Sequence, residues 1–229
     1  MADRVALVTG SGGGIGTALC AELDGAGFEV VGADLSGADV EVDLRDGASC
    51  RAAVAAVLER TGRLDLLVNN AGINARGATE DMSEDVWGEV VDVNLKGTFR
   101  MCQAAFPALR YGGGAIVNLS SSAALVAIGG STMYGVTKAA ISHLTKILAV
   151  EWAPYGIRVN AVAPTIVESA MTADVLDDAG YMAAKMASIP LGRIATPGDV
   201  AAAVVWLAGE RSAMTTGVTV PVDGGVSVL

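Results

Sequence analysis

Tyr134 and Lys138 stand four residues apart in the run Tyr-Gly-Val-Thr-Lys, a spacing that puts both side chains on one face of a helix. A phenol with an ordinary pKa near ~10 is a poor acid or base at neutral pH, and a fixed ammonium one turn away stabilises the phenolate and lowers that value. The pair is suited to proton transfer. By itself the spacing fits any exposed helix, so its meaning depends on what the chain places around it.

A second chemistry-bearing stretch is Thr9-Gly-Ser-Gly-Gly-Gly-Ile-Gly16, which follows a strand pattern and opens a helix. Backbone N–H groups and a helix N-terminus meet a pyrophosphate at such a junction. The spacing is T-G-x-x-x-G-x-G on Gly10, Gly14 and Gly16, with Ile15 where a G-x-G-x-x-G frame starting at Gly10 would have its last glycine. A flexible linker is the alternative, but a linker is not clamped between a strand and an amphipathic helix. Asp34 ends the second strand, near the ~20-residue offset at which an acidic side chain meets the adenosine ribose hydroxyls. It would repel a 2′-phosphate, and neither the glycine loop nor Leu35–Asp39 supplies an Arg or Lys to neutralise one. NAD(H) is thereby favoured over NADP(H), an ordinary turn aspartate being the structural alternative.

These residues need elements to hold them. Arg4–Thr9, Phe28–Asp34, Leu64–Asn69, Ala115–Ser120, Ile157–Ala163 and Val218–Val222 are short, nearly continuous apolar runs, as expected of strands buried on both faces. Longer helical stretches alternate with them. Ser83 can cap a helix with Glu84 and Asp85 in its first turn and an apolar stripe of Val86, Trp87, Val90 and Val91. Asn94 extends that stripe by three residues, which carries a polar amide toward the core, where it must find partners. A long helix is predicted from about Thr132 to Trp152, burying Ile141, Leu144, Ile147 and Leu148. Repeated β-α-β units with right-handed crossovers make this an α/β chain with one doubly wound parallel sheet and helices on both faces. Only Leu35–Asp39 separate the second strand from the Val40–Val42 run, too few for a crossover helix, so the third strand should be short and at the sheet edge.

The whole chain, 1–229, reads as one domain, since 229 residues with 52% hydrophobic and 17% charged can bury a full core. Its mean hydropathy of +0.49 comes largely from Ala and Gly, and no apolar run approaches the ~18 residues of a membrane span. The start of the chain runs almost directly into a strand without a signal-peptide pattern, so a cytoplasmic location is expected. Cys20, Cys50 and Cys102 lack paired spacing and read as reduced core thiols rather than a metal site. Asn118-Leu-Ser120 fits a glycosylation pattern but sits in a strand. A net charge of −10 with no basic stripe argues against nucleic acid as a partner.

Beyond the glycine and tyrosine motifs, the chain carries Asn69-Asn70-Ala71-Gly72, Asn94 in Val-Asn-Leu-Lys-Gly, Ser121 in Val-Asn-Leu-Ser-Ser, Asn160-Ala-Val-Ala-Pro164 and a terminal Val222-Asp-Gly-Gly225. On these residues, over its whole length, it resembles the short-chain dehydrogenase/reductase family, whose fold is a Rossmann-type sheet. The resemblance implies that Gly10, Gly14, Ile15 and Gly16 cradle the cofactor, that Asp43 contacts adenine, and that Asn70, Ala71 and Gly72 line the adenosine side. Ser121, thirteen residues before Tyr134, would polarise the substrate oxygen, ahead of its neighbours Ser120 and Ser122. Lys138 would also hold the nicotinamide ribose and Asn94 a relay water, a satisfied structural asparagine being the other reading. Pro164, Val167 and Ser169 match positions near the carboxamide and diphosphate, but Thr165 stands where relatives usually have glycine.

His143, the only histidine, lies nine residues beyond Tyr134, more than two turns from the expected site, and is not read as catalytic. A substrate lid is expected at about 165–195, with Met171, Met182 and Met186 as an adaptable wall or as ordinary packing. The resemblance further implies a homotetramer built on the helices of about Ser83–Ala105 and Thr132–Trp152, with Ala104, Ala105, Ala139 and Ala140 small enough for close contact and the terminal motif as a second interface. The expected activity is NAD(H)-dependent interconversion of a secondary alcohol (polyol, sugar or hydroxy compound) and its carbonyl. The alternatives are a 3-oxoacyl-thioester reductase and a non-catalytic NAD(H) sensor.

Overall fold

Along β1 (Arg4–Thr9), Val5 and Leu7 enter one apolar layer and Ala6 and Val8 the other, the two-residue alternation of a strand covered on both faces. The computed structural model, which describes residues 4–229 with 170 and 174 in backbone alone, builds around that strand a seven-stranded parallel sheet in the order β3-β2-β1-β4-β5-β6-β7. In chain order β1 is followed by α1 (Gly14–Gly25), β2 (Phe28–Asp34), β3 (Val40–Glu41), α2 (Gly47–Thr61) and β4 (Leu66–Asn69). Next come α3 (Glu84–Val90), α4 (Gly97–Gly112), β5 (Gly114–Leu119) and α5 (Thr132–Trp152). The chain finishes with β6 (Ile157–Pro164), α6 (Ala173–Leu176), α7 (Ala179–Ala187), α8 (Pro197–Ala208) and β7 (Thr219–Val222).

One layer is filled from α2, α4 and α5 by residues such as Cys50, Val57, Met101 and Leu148, the other from α1 and α8 by Leu19, Leu23, Val204 and Leu207. Both faces of the sheet are thereby closed, which a parallel sheet requires. The connection from β2 to β3 holds no helix, and β3 is a two-residue edge strand whose Val40 pairs with Ala33 and Glu41 with Asp34. Asp39 pins that short link by accepting from the Gly32 N–H at 3.0 Å and pairing with Arg60 at 3.0 Å. Strand β4 starts two residues later than the apolar pattern suggests, because the Asp65 carboxylate takes the Val5 N–H at 2.7 Å ahead of the ladder.

Two helix faces depart from the sequence pattern. Ser83 does cap α3, accepting from the Val86 N–H at 3.3 Å, yet Val86 and Trp87 face solvent and only Val90 of that helix is buried. A π-helical turn follows over Val91–Lys96, in which the Gly97 N–H reaches back to the Asp92 carbonyl. On α5, Ile141 and Leu148 are buried as expected, but Ile147 is exposed, one residue out of line with the 3.6-residue period. Ala105, expected on an outer face, is wholly inside the core. No helix among the described residues is long and apolar enough to cross a membrane, and no group of acidic, His and Cys side chains among them could hold a metal ion.

Candidate active site

The sheet order turns at β1, whose neighbours are β2 and β4, so the connections leaving their carboxyl ends splay apart and open a crevice. A cleft of about 550 Å³ lies there. Gly10 is in the left-handed region at φ +67, and a Cβ on it would sit 2.8 Å from the Ala71 Cα. A Cβ on Gly16 would overlap the Gly10 carbonyl oxygen, so the tight turn into α1 admits no side chain there. Gly14 and Ile15 open onto the cleft at the helix N-terminus. Asn70 locks the two crevice walls together, its Nδ2 donating to the carbonyls of Thr9 at 3.1 Å and Gly10 at 2.9 Å, while the Thr9 hydroxyl accepts from the N–H groups of Asn70 and Ala71. This bare, backbone-lined cradle fits a pyrophosphate.

Asp34 and Asp43 line the same end. Asp34 accepts from the Gly12 N–H at 3.0 Å and its neighbour Leu35 N–H at 2.8 Å, which fixes the carboxylate beside the glycine loop with acceptor capacity to spare. Asp43 forms a fork with Arg45, Nη2 to Oδ2 at 2.7 Å and Nε to Oδ1 at 2.9 Å, and that guanidinium holds its carboxyl down at about 2. Arg45 also lines the cleft. Looking for a cation only within Leu35–Asp39 misses it, because the stub-like β3 brings residue 45 back to the crevice.

At the other end α5 presents Tyr134 and Lys138. Lys138 is buried, its Nζ donating to the Leu119 carbonyl at 2.6 Å and lying 5.4 Å from the Tyr134 ring centre. Burial pushes that ammonium down to about 8 and pushes the half-buried Tyr134 phenol up. The protein's own groups that oppose the upward push on the phenol are a hydrogen bond with Ser121 and the charge of Arg76. The expected lowering by Lys138 is not what this geometry delivers, since its ammonium is aimed at a β5 carbonyl rather than at the phenol.

The three serines after β5 all border the cleft, and their hydroxyls differ in partner. Ser120 turns its hydroxyl to α5, contacting the Lys138 carbonyl at 3.0 Å and Ser142 at 2.8 Å. Ser121 lines the cleft, accepts from the Ala123 N–H at 3.2 Å and bonds Tyr134. Ser122, buried, begins the turn that follows.

Asn94 does not line the cleft. Fully buried in the π-helical turn, it clamps the strand-like backbone of Ile73, its Oδ1 accepting from the N–H at 2.8 Å and its Nδ2 donating to the carbonyl at 2.9 Å. The amide thus meets its bonding needs structurally, and it fixes the loop that carries Gly72. A Cβ on Gly72 would lie 3.1 Å from Asn94 Oδ1, a tight approach, and 3.6 Å from Lys138 Nζ, an ordinary contact.

Residues 165–195 cross over the cleft, and their ends are tied by a parallel bridge between Val167 and Ala195. Pro164, Thr165, Val167 and Ser169 line the cleft. Thr165 is 7% exposed, and its hydroxyl oxygen has no hydrogen-bond partner. Of the three methionines only Met171 lines the cleft; Met182 and Met186 do not. Arg76, Tyr181 and Lys185 line it as well, side chains that the motifs gave no reason to choose. His143 is exposed on α5 and outside the cleft. In the terminal motif, Gly224 accepts from the Leu191 N–H at 3.0 Å and Asp223 from the N–H groups of Gly225 and Ser227, so the motif anchors the end of the crossing segment.

Comparison with known proteins agrees with this fold. A family model described as enoyl-(acyl carrier protein) reductase matches residues 10–227. The chain is 37% identical over 243 residues to D-threitol dehydrogenase of Mycolicibacterium smegmatis, covering 98% of this chain and 93% of that protein. The solved structure of a gluconate 5-dehydrogenase from Burkholderia cenocepacia J2315 in complex with NADP and tartrate superposes with a TM-score of 0.96 at 32% identity, covering 100% of this chain and 97% of that one. A 3-ketoacyl-(acyl-carrier-protein) reductase from Brucella melitensis complexed with NADH superposes with a TM-score of 0.90 at 31% identity, covering 98% of each chain.

Proposed function

The chain belongs to the short-chain dehydrogenase/reductase family, and from that premise we propose that it interconverts a secondary alcohol, such as a polyol, sugar or hydroxy compound, and its carbonyl with NAD(H). The observation that carries the reading is the convergence of Ser121, Tyr134 and Lys138 on the same cleft as the glycine cradle and Asp34. The nicotinamide, when bound, supplies or takes the hydride. Gly10, Gly14, Ile15 and Gly16 would hold its diphosphate, Asp34 the adenosine ribose, Asp43 the adenine side, and Lys138 the nicotinamide ribose. Asn70, Ala71, Gly72, Pro164, Val167 and Ser169 would complete the binding wall.

In this reading Tyr134 takes the hydroxyl proton during oxidation and returns it during reduction, and Ser121 donates a hydrogen bond to the same substrate oxygen. Asn94 acts by holding Gly72 beside Lys138, and the remaining Oδ1 lone pair is what a relay water would use. The unpartnered Thr165 hydroxyl is a donor available to a bound carboxamide or substrate. Incubation with NAD+ and a panel of polyols, sugars and hydroxy acids, followed by NADH absorbance, tests the proposal; no turnover of any member would count against it.

For assembly we propose a homotetramer with two-fold axes. Trp87, Phe99, Val136, Ile147 and Val150 are exposed on α3, the α4 start and α5, apolar side chains that a partner copy would cover. Light scattering at micromolar concentration should give about four times the 23.0 kDa chain mass. A stable, active monomer would show that this face has no such partner.

A further inference from the structure

The charges lining the cleft are segregated. The described acidic residues that line it, Asp34, Asp43 and Glu89, accompany Arg45 at the end of the glycine cradle. Beside Tyr134 and the crossing segment the charged lining residues are Arg76, Lys138 and Lys185, all cationic, with no acid among the described lining residues there. In a chain of net charge −10 this is against the general field. Lys185 projects from α7 into the wall, half-buried, with no salt bridge to any described carboxylate. The acid that reaches it through space is Asp223, whose own oxygens are taken by the N–H groups of Gly225 and Ser227. A partly desolvated ammonium facing a cavity is stabilised by an anion that enters that cavity.

We propose that Lys185 is the anchor for an anionic group on the substrate, and that the natural substrate is a small hydroxycarboxylic acid or its oxo form whose carboxylate meets the Lys185 ammonium while its carbinol faces Tyr134 and Ser121. Arg76 adds positive potential at that end, as its effect on the phenol shows. Lys185, Tyr134 and Ser121 line one continuous cleft of about 550 Å³.

This inference rests on the dehydrogenase reading, and two arms of one experiment separate them. In the first, NAD+-dependent turnover is compared for hydroxy acids and their primary amides, for example gluconate against gluconamide and 3-hydroxybutyrate against 3-hydroxybutyramide. The acid of each productive pair should have the higher kcat/KM. Lys185→Met should raise its KM roughly tenfold or more, with NADH affinity unchanged and Lys185→Arg recovering most of the loss. Equal kinetics for acid and amide, or a Lys185→Met enzyme with native KM, overturns the proposal.

The second arm needs no turnover. Malonate is titrated by thermal melting, with and without NADH, against wild type and both variants. Lys185-dependent stabilisation supports the anion site even when no panel member is oxidised, which would indict the activity alone. Malonate binding that is absent or indifferent to Lys185 refutes the site. A Lys185→Met variant that melts lower but keeps its preference for acids would make the residue a structural partner of Asp223, and also refutes it.

Discussion

Tyr134→Phe is expected to lower kcat by ~10²-fold or more while leaving the fold and NADH binding in place, because proton transfer by a positioned side chain is typically worth that much. The surroundings make the substitution a clean one. Tyr134 is half-buried at the cleft wall, so the ring keeps its packing, and Ser121, which loses the phenol as a partner, still accepts from the Ala123 N–H at 3.2 Å. No buried polar atom is newly stranded by the change. Steady-state turnover followed by NADH absorbance, alongside NADH binding by fluorescence, separates chemistry from binding. A Phe variant with near-native kcat would mean that another group moves the proton.

The second large effect concerns the cofactor: kcat/KM with NAD+ should exceed that with NADP+ by at least ~10-fold, a difference of ~1.4 kcal/mol. A 2′-phosphate would have to sit against the Asp34 carboxylate, which the Gly12 and Leu35 N–H groups hold in place. Arg45, the cation that shares this end of the cleft, is committed in a two-point fork to Asp43. Combining Asp34→Ser with Leu35→Arg should shift preference toward NADP+, since repulsion is removed and Leu35, 64% exposed, can become Arg without repacking the core. Asp34→Ser alone should also weaken NAD+ use, as the glycine loop loses its carboxylate tether. Equal efficiency with both cofactors in the native enzyme would refute the assignment.

Much of this architecture was legible because it is local. Six strands announce themselves as apolar runs, and the missing helix before β3 follows from counting five residues between the second of them and the short Val40–Val42 run. The family resemblance singles out Ser121; Ser120 borders the cleft too, but its hydroxyl is bonded to α5. What the sequence conceals is orientation set by distant parts of the chain. Lys185 looks like any helix lysine until the crossing segment folds over the crevice, and Arg45 looks remote from Asp34 until β3 ends after two residues. The burial of Ala105 and the exposure of Trp87 and Ile147 were hidden for a related reason, since which part of a helix the rest of the chain covers is not a local property. Nor does an apolar stripe announce the π-helical turn at Val91–Lys96.

That turn can be described as a one-residue insertion that the helix has kept. A π-helical turn houses one residue more than an α-helical turn would, at the cost of poorer backbone bonding. Removing a single residue there, Val93 for instance, would close the wide turn to an ordinary α-helical one. Asn94 would keep its link to Thr98, whose hydroxyl donates to its carbonyl at 2.7 Å, but the backbone that aims its amide at Ile73 would be redrawn. The shortened chain should form the better helix and the worse enzyme, with the Gly72 loop released and NADH affinity reduced at least ~10-fold in a fluorescence titration. Native affinity in that deletion would make the extra residue mere historical baggage; its loss would mark the irregularity as the register stop by which a long helix addresses one particular loop.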